Sequence, residues 1–241
     1  MTDLLDRVLA AHGGLDRWNE LTSLSARVRG GGGLWALKHQ EGVLDDVVTR
    51  VDLHRQFAST SPFGAPRVRS SVTADRVALE TEAGVVLEER SEPRRSFDGH
   101  DLATPWDRLQ LAYFNGYAMW TYLTEPFSFT WPGTRAEELE PWQEDGHTWR
   151  RLKVRFPDGL AVHSKDNLYY VEESGLIRRH DYVSEVLGPA AAPAAHYIDG
   201  HEEVQGIVVP TRRRIHPIGP DNHAVKETLI VSIDLDEIKF A

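Results

Sequence analysis

The chain contains no cysteine. Disulfides, thiolate nucleophiles, Cys-ligated zinc and iron–sulfur clusters are therefore excluded. Neither G-x-S-x-G nor H-E-x-x-H occurs, so serine-hydrolase and zincin chemistries have no motif to rest on. Positive charge is scarce, with 27 Lys and Arg against 37 Asp and Glu and a net charge of −10. Nucleic-acid binding and stable attachment to an anionic membrane surface both need a basic face, and neither is expected. No window reaches the length of a membrane span, and the opening M-T-D-L-L-D-R-V-L interrupts its apolar run with Asp3, Asp6 and Arg7, unlike a secretory signal. The expectation is a soluble cytoplasmic protein.

What is present is an ordinary folding composition, 41% hydrophobic and 27% charged, in 241 residues. A chain of this length can form one large β domain with a sizeable core. Leu4, Leu5, Val8 and Leu9 fall at helical spacing behind Asp3 as N-cap, and Gly13 and Gly14 end that helix. Leu15, Trp18 and Leu21 add a further turn. From Leu24 the period becomes two: Leu24, Ala26 and Val28, then Trp35, Leu37 and His39, then Val43 through Leu53. The run Gly30 to Gly33 resembles a phosphate loop, but no helical pattern follows it, and it reads as a hairpin or bulge. Short strands continue to about Arg90, a spacing that points to a meander.

A second kind of segment begins after Pro93. Thr104-Pro105 reads as N-cap and first helical residue, and the chain from Trp106 to Leu123 is apolar nearly all round, as a buried helix must be. Gly116 is expected to divide it, and Glu125-Pro126 to end it. Strands resume over 127–131, 137–142 and 149–156. They continue through H-S-K-D-N-L-Y-Y-V, L-I-R-R-H-D-Y, A-A-H-Y-I-D-G-H and P-T-R-R-R-I-H-P to a final strand carrying Leu229, Val231, Ile233 and Leu235 on one face. The fold class is mainly β: one domain over 1–241, a strongly curved antiparallel sheet wrapping an N-terminal helix and a central aromatic helical insert at about 101–125.

The opening A-H-G-G-L-D-R-W, the meander, the aromatic insert and the closing E-V-Q-G-I-V-V-P-T-R resemble the half-barrel group that includes the lipoprotein carriers LolA and LolB. The resemblance implies an incomplete barrel whose concave face, plugged by helices, holds an apolar ligand.

Candidate site residues follow from strand parity. Arg178, His180 and Tyr182 share one face, Arg179 and Asp181 the other. With the first face inward, His180 and Tyr182 supply a base and an acid and Arg178 steadies an anion; with the second, Arg179 and Asp181 form a buried pair. His196 is alone on an apolar face and His163 stands in a similar setting, each a core histidine or a proton shuttle. Arg213, beside Ile215, is the candidate partner for a ligand carboxylate or enolate. Of Tyr169 and Tyr170 only one can line a pocket, and Tyr170 is assigned to it. Trp106, Tyr113, Tyr117 and Trp120 are either core or a flat wall for a polyketide-like chain. His196, Asp199, His201 and Glu203 match no metal motif across a turn at Asp199-Gly200, so neither metal nor cofactor is expected.

Besides an interaction module with a filled core and no ligand, two functions remain. One is a cofactor-free enzyme that cyclises, dehydrates or adds within a hydrophobic small molecule, using pocket preorganisation and His/Tyr acid–base groups. The other is a non-catalytic carrier of a lipophilic ligand. An inward polar cluster has a use in the first and none in the second.

Overall fold

The computed structural model describes residues 2–241. Thirteen strands form one antiparallel sheet that does not close: β1 Ser23–Gly31, β2 Val47–Asp52, β3 Ala58–Ser61, β4 Val68–Val72, β5 Arg76–Thr81, β6 Val86–Ser91, β7 Arg135–Glu144, β8 His147–Arg155, β9 Asp166–Val171, β10 Ile177–Tyr182, β11 Ala194–Val204, β12 Ile207–Pro217 and β13 Val231–Phe240. Their spatial order is β6-β5-β4-β3-β2-β1-β13-β12-β11-β10-β9-β8-β7. Two meanders thus meet where the first strand pairs with the last, Val28 opposite Leu235 and Gly30 opposite Ile233. Leu24, Ala26, Val28, Val231, Ile233 and Leu235 turn inward and are buried there, as their alternation requires. The two free edges differ. β7 carries Pro141, a register shift between Leu139 and Trp142 and several glutamates, all devices that discourage further pairing, whereas β6 shows Val86 and Leu87 to solvent.

The helices are α1 Asp3–Ala11, α2 Leu15–Asn19, α3 Leu34–Leu37 and α4 Arg108–Thr124. α1 is capped by Thr2, whose hydroxyl accepts from the Leu5 amide, and not by Asp3, which occupies the first helical position. It lies against the turns of the second meander, where a Cβ on Gly13 would sit 2.2 Å from the Gly206 carbonyl oxygen. Only glycine allows that approach.

α4 fills the concavity, every residue from Leu109 to Thr124 being buried. Its cap is Asp107, in a capping box with Gln110, because the Asp107 carboxylate accepts from the Gln110 amide at 2.7 Å. Thr104 instead closes a turn with Asp101. The helix runs unbroken through Gly116, whose missing side chain makes room for Val72: a Cβ there would lie 2.6 Å from that residue. Residues 34–37, expected as strand, form α3, so a one-turn helix does follow the glycines, and residues 127–130 form a 3₁₀ turn where a strand was expected. β11 runs through Asp199 and Gly200 without the expected turn.

Candidate functional site

Strand parity brings the inward residues of the second meander into rows. Tyr169, His180, His196 and Ile215 face one another directly across β9, β10, β11 and β12. The His180 ring stacks on Tyr169 at 4.2 Å and lies 5.8 Å from His196. Above them runs the C-terminal turn of α4. Its Tyr122 hydroxyl is hydrogen-bonded to Tyr182 at 2.7 Å and to His163 Nε2 at 2.8 Å, and His163 Nδ1 lies 3.3 Å from Ser184 Oγ. Tyr182, Tyr122, His163 and Ser184 form one chain that can be polarised in either direction without moving a heavy atom, since each hydroxyl and the imidazole both donates and accepts.

Beside this chain, Arg213 donates to Glu125 Oε1 at 2.8 Å and to the Tyr122 carbonyl at 2.6 Å. It satisfies a carbonyl in the last turn of α4 and a carboxylate just past it with one guanidinium. Its other contact, His196 Nε2 at 3.4 Å, makes that nitrogen an acceptor. Asn167 donates to the Ser164 carbonyl, which fixes its amide so that Oδ1 accepts from His180 Nε2 at 2.9 Å. His180 Nδ1 is then a lone pair 3.7 Å from Glu125 Oε2, and neither atom has a hydrogen-bond partner.

Burial decides the electrostatics. His163 is drawn down to about 3, by loss of solvent and then by the Arg94 charge. His180 and His196 are lowered well below the ordinary histidine range, again first by burial, with Arg213 adding to it. These imidazoles are neutral. Burial also raises the Glu125 carboxyl, while Arg213 opposes that rise, and it raises the hydroxyls of Tyr122, Tyr169 and Tyr182.

The structure thus gathers His163, His180, His196, Tyr182 and Arg213. It does not add Arg178, which pairs with Asp199 and Glu172, for the sheet register shifts between Ile177 and Arg179. Tyr170 lies on the convex face, donating to Asp181, and its neighbour Tyr169 is the inward one. There Arg179, fully buried, is held between the rings of Tyr170 and Tyr197 and paired with Asp181 and Glu144. His180 and Tyr182 thus turn inward, while Arg179 and Asp181 pair on the opposite face.

Trp106, Tyr113, Tyr117 and Trp120 do not share a wall. Trp120 donates to the carbonyls of Asp52 and Arg55, Tyr113 reaches Ala74, Tyr117 packs on His163 and Trp106 packs on Phe97 and Phe114. Sequence reasoning missed Glu125, Tyr122, Asn167 and Ser184. Glu125 had a signal: it follows sixteen uncharged residues of a buried helix, and a carboxylate so placed needs a cation.

Three spaces lie near this core, one of them an open, charged groove of about 690 Å³ whose wall includes Tyr182, Ser164 and Asp181. An apolar interior cavity of about 40 Å³ touches Tyr122 and Tyr182 among Val28, Trp35, Phe114 and Met119, but none of the histidines. At the mouth of the half-barrel lies a groove of about 390 Å³, walled by Leu34, Leu37, Leu102, Leu187, Leu229 and Ile230. Leu37, Leu102 and Leu229 are 40%, 46% and 38% exposed, high for leucine. Leu34 and Ile230 face the groove while their neighbours Trp35 and Val231 face the cavity, so one layer of residues separates the two.

Lys38, wholly buried behind this wall, donates to the carbonyls of Asp101, Leu102 and Thr104 at 3.2, 2.7 and 3.1 Å, and its ammonium stands 5.0 Å from the Trp106 ring. Among the described residues no three metal-capable side chains come together, and no helix is long and apolar enough to cross a membrane.

No protein-family model matches the chain, and no curated protein matches it. Solved structures do match. A LolA superfamily protein from Nitrosomonas europaea aligns over 94% of this chain and 91% of its own, at 10% identity and TM-score 0.50. A domain described as a putative outer membrane lipoprotein-sorting protein from Vibrio parahaemolyticus aligns over 99% and 91%, at 9% identity and TM-score 0.55. A DUF1329 family protein from Desulfovibrio piger aligns over 98% and 91%, at 10% identity and TM-score 0.54. The chain has a LolA-like fold.

Proposed function

We propose that this protein is a non-catalytic carrier of a lipophilic ligand. The observation that carries the reading is the groove of about 390 Å³ at the mouth, apolar along its walls and opening to solvent. Soluble proteins seldom leave three leucines exposed in one concavity unless something covers them, and this volume lies in the range of small-molecule sites. Two proteins of the same fold are described in terms of lipoprotein sorting or the LolA superfamily, which agrees with the reading while likeness at about 10% identity speaks for fold alone.

The enzymatic reading draws on a different observation, the Tyr182–Tyr122–His163–Ser184 chain. Such a chain could deliver a proton, yet the interior cavity that touches it, about 40 Å³, holds a few waters and not a polyketide-like substrate. The open groove of about 690 Å³ that also reaches Tyr182 is walled by Arg151, Arg155, Lys165, Asp166 and Glu185, a charged lining that suits no apolar chain. Apolar burial, by contrast, needs no acid or base.

The test is to incubate the purified protein with a small-molecule extract of its host lacking this gene, and to analyse the free and protein-bound fractions by mass spectrometry. A compound recovered unchanged from the protein, with Tyr182→Phe retaining it equally, is the expected result. An isomer, or a product lighter by one water, appearing with the wild-type protein and not with Tyr182→Phe, would replace the carrier with an enzyme.

A further inference from the structure

We infer that the mouth groove takes the hydrocarbon chain of a single-chain amphiphile and leaves its head group in water, so that the protein selects by chain and is indifferent to head-group charge. The inference rests on the carrier reading and says where the ligand sits and what part of it is recognised.

The lining comes first. Of the eleven residues around the groove, Thr228 alone has a polar side chain and none is charged. Of the charged groups next in sequence to the lining, Glu227 stands exposed in solvent outside it, and Lys38 and Asp101 are already engaged. Lys38 gives its three donors to carbonyls, and the Asp101 carboxylate accepts from the amides of Ala103 and Thr104 and from the Thr104 hydroxyl. A charged head drawn into this space would lose its water and gain no partner, a cost well above what a short chain recovers.

The groups that could read a head are elsewhere. Arg213, Glu125, His180 and His196 lie in the interior cluster, all buried, and none of them lines the groove.

Size excludes the main competitor. A specific protein–protein contact uses about 20–30 residues on each side. Eleven residues around a concavity fit a chain better than a folded partner.

The walls are also built in advance. The amides of Gly33 and Leu34 donate to the carbonyls of Leu229 and Ile230 at 3.2 and 3.0 Å, which joins the start of α3 to the opposite wall. Lys38 ties the end of α3 to Leu102, and the Ile230 amide donates to Ile215 at 2.8 Å. A preformed apolar slot binds with little ordering cost.

The experiment is a matrix of monomeric ligands with eight, ten and twelve carbons, each made as alcohol, carboxylate and trimethylammonium, titrated by displacement of a fluorescent alkyl probe. Affinity should rise about fourfold per added methylene, and the three heads should agree within about threefold at equal length. Leu229→Asp and Leu102→Asp, both at exposed positions and checked for unchanged melting, should weaken every ligand by tenfold or more. A head-group preference above tenfold would overturn the inference, since a polar site would then be reading the head. Chain-dependent binding that ignores both substitutions would place the chain elsewhere, overturning the groove assignment while the carrier reading stands. If no chain binds at all, both fall. A parallel arm with phosphatidylcholine vesicles separates the sources of such chains: phospholipid recovered on the protein after gel filtration assigns them to membrane lipid, and its absence beside tight monomer binding assigns them to soluble amphiphiles, either outcome upholding the groove.

Discussion

Arg213 is the residue on which the interior depends most. Its guanidinium holds the last turn of α4 against β12 through Glu125 and the Tyr122 carbonyl, and both charged partners are almost wholly buried. Removing one member of a buried pair strands the other in a low-dielectric interior, which costs about 3–5 kcal/mol, while removing both is far milder. Arg213→Met should therefore lose that amount in urea unfolding, and adding Glu125→Gln should restore much of it. A single-variant loss below about 1 kcal/mol would show that Glu125 is already neutral and that the pair is not ionic. Much of this was legible: alternation alone set Arg213 beside Ile215 and His180 with Tyr182 on one face, though it did not say which face turns inward. Arg178 was misjudged because a register shift interrupts the alternation next to it. Tyr170 was misjudged because parity says that adjacent tyrosines diverge and does not say which one turns in.

At the scale of the element, α4 shows how a position can contradict its own propensity. Glycine inside a helix costs about 1 kcal/mol relative to alanine, so Gly116→Ala would stabilise an isolated helix. Here the new methyl group would meet the Val72 side chain at 2.6 Å, on a β4 that is itself held in the sheet. Overpacking of that kind costs about 1–3 kcal/mol. The variant should melt below wild type, and Gly116→Ala with Val72→Ala should recover relative to Gly116→Ala alone. A rise in melting temperature for the single variant would contradict the packing described. The same contact explains why the expected break at Gly116 is absent: the glycine answers to a neighbour and not to the helix. α3 escaped notice for a different reason. Over four residues Leu34, Trp35, Ala36 and Leu37 satisfy a strand pattern and a helical one equally, and the contacts that hold the helix are distant in sequence: the Gly33 and Leu34 amides on the Leu229 and Ile230 carbonyls, and the Lys38 tether to 101–104.

At the scale of the whole molecule, four buried histidines and the half-buried His201 give stability a defined acid limit. His12 and His201 are lowered to about 4 and His163 to about 3 from an ordinary value of 6.5, and His180 and His196 lie lower than that value as well, burial being the leading cause in each. Below pH 6.5 the unfolded chain takes up protons that the folded chain refuses. Stability is thus intact above pH 6.5 and declines as pH falls towards 4, at up to about 1.4 kcal/mol per pH unit for each histidine involved. Urea midpoints measured from pH 7.5 to 4.5 should fall monotonically with a slope of more than one proton, and a flat profile would mean that these rings are already charged or solvated in the folded state. The two meanders behind this core were readable from strand spacing, because consecutive strands pair with their neighbours. Their junction was not, since β1 and β13 lie at opposite ends of the chain and no local pattern couples them. That junction also imposes an order in time. On the ribosome β1 to β6 can assemble early, but the inner edge of β1 stays open until β13 has been synthesised, so the nascent half-sheet must wait with both of its borders unpaired, and a chaperone that shields the β1 border would be needed longest of all.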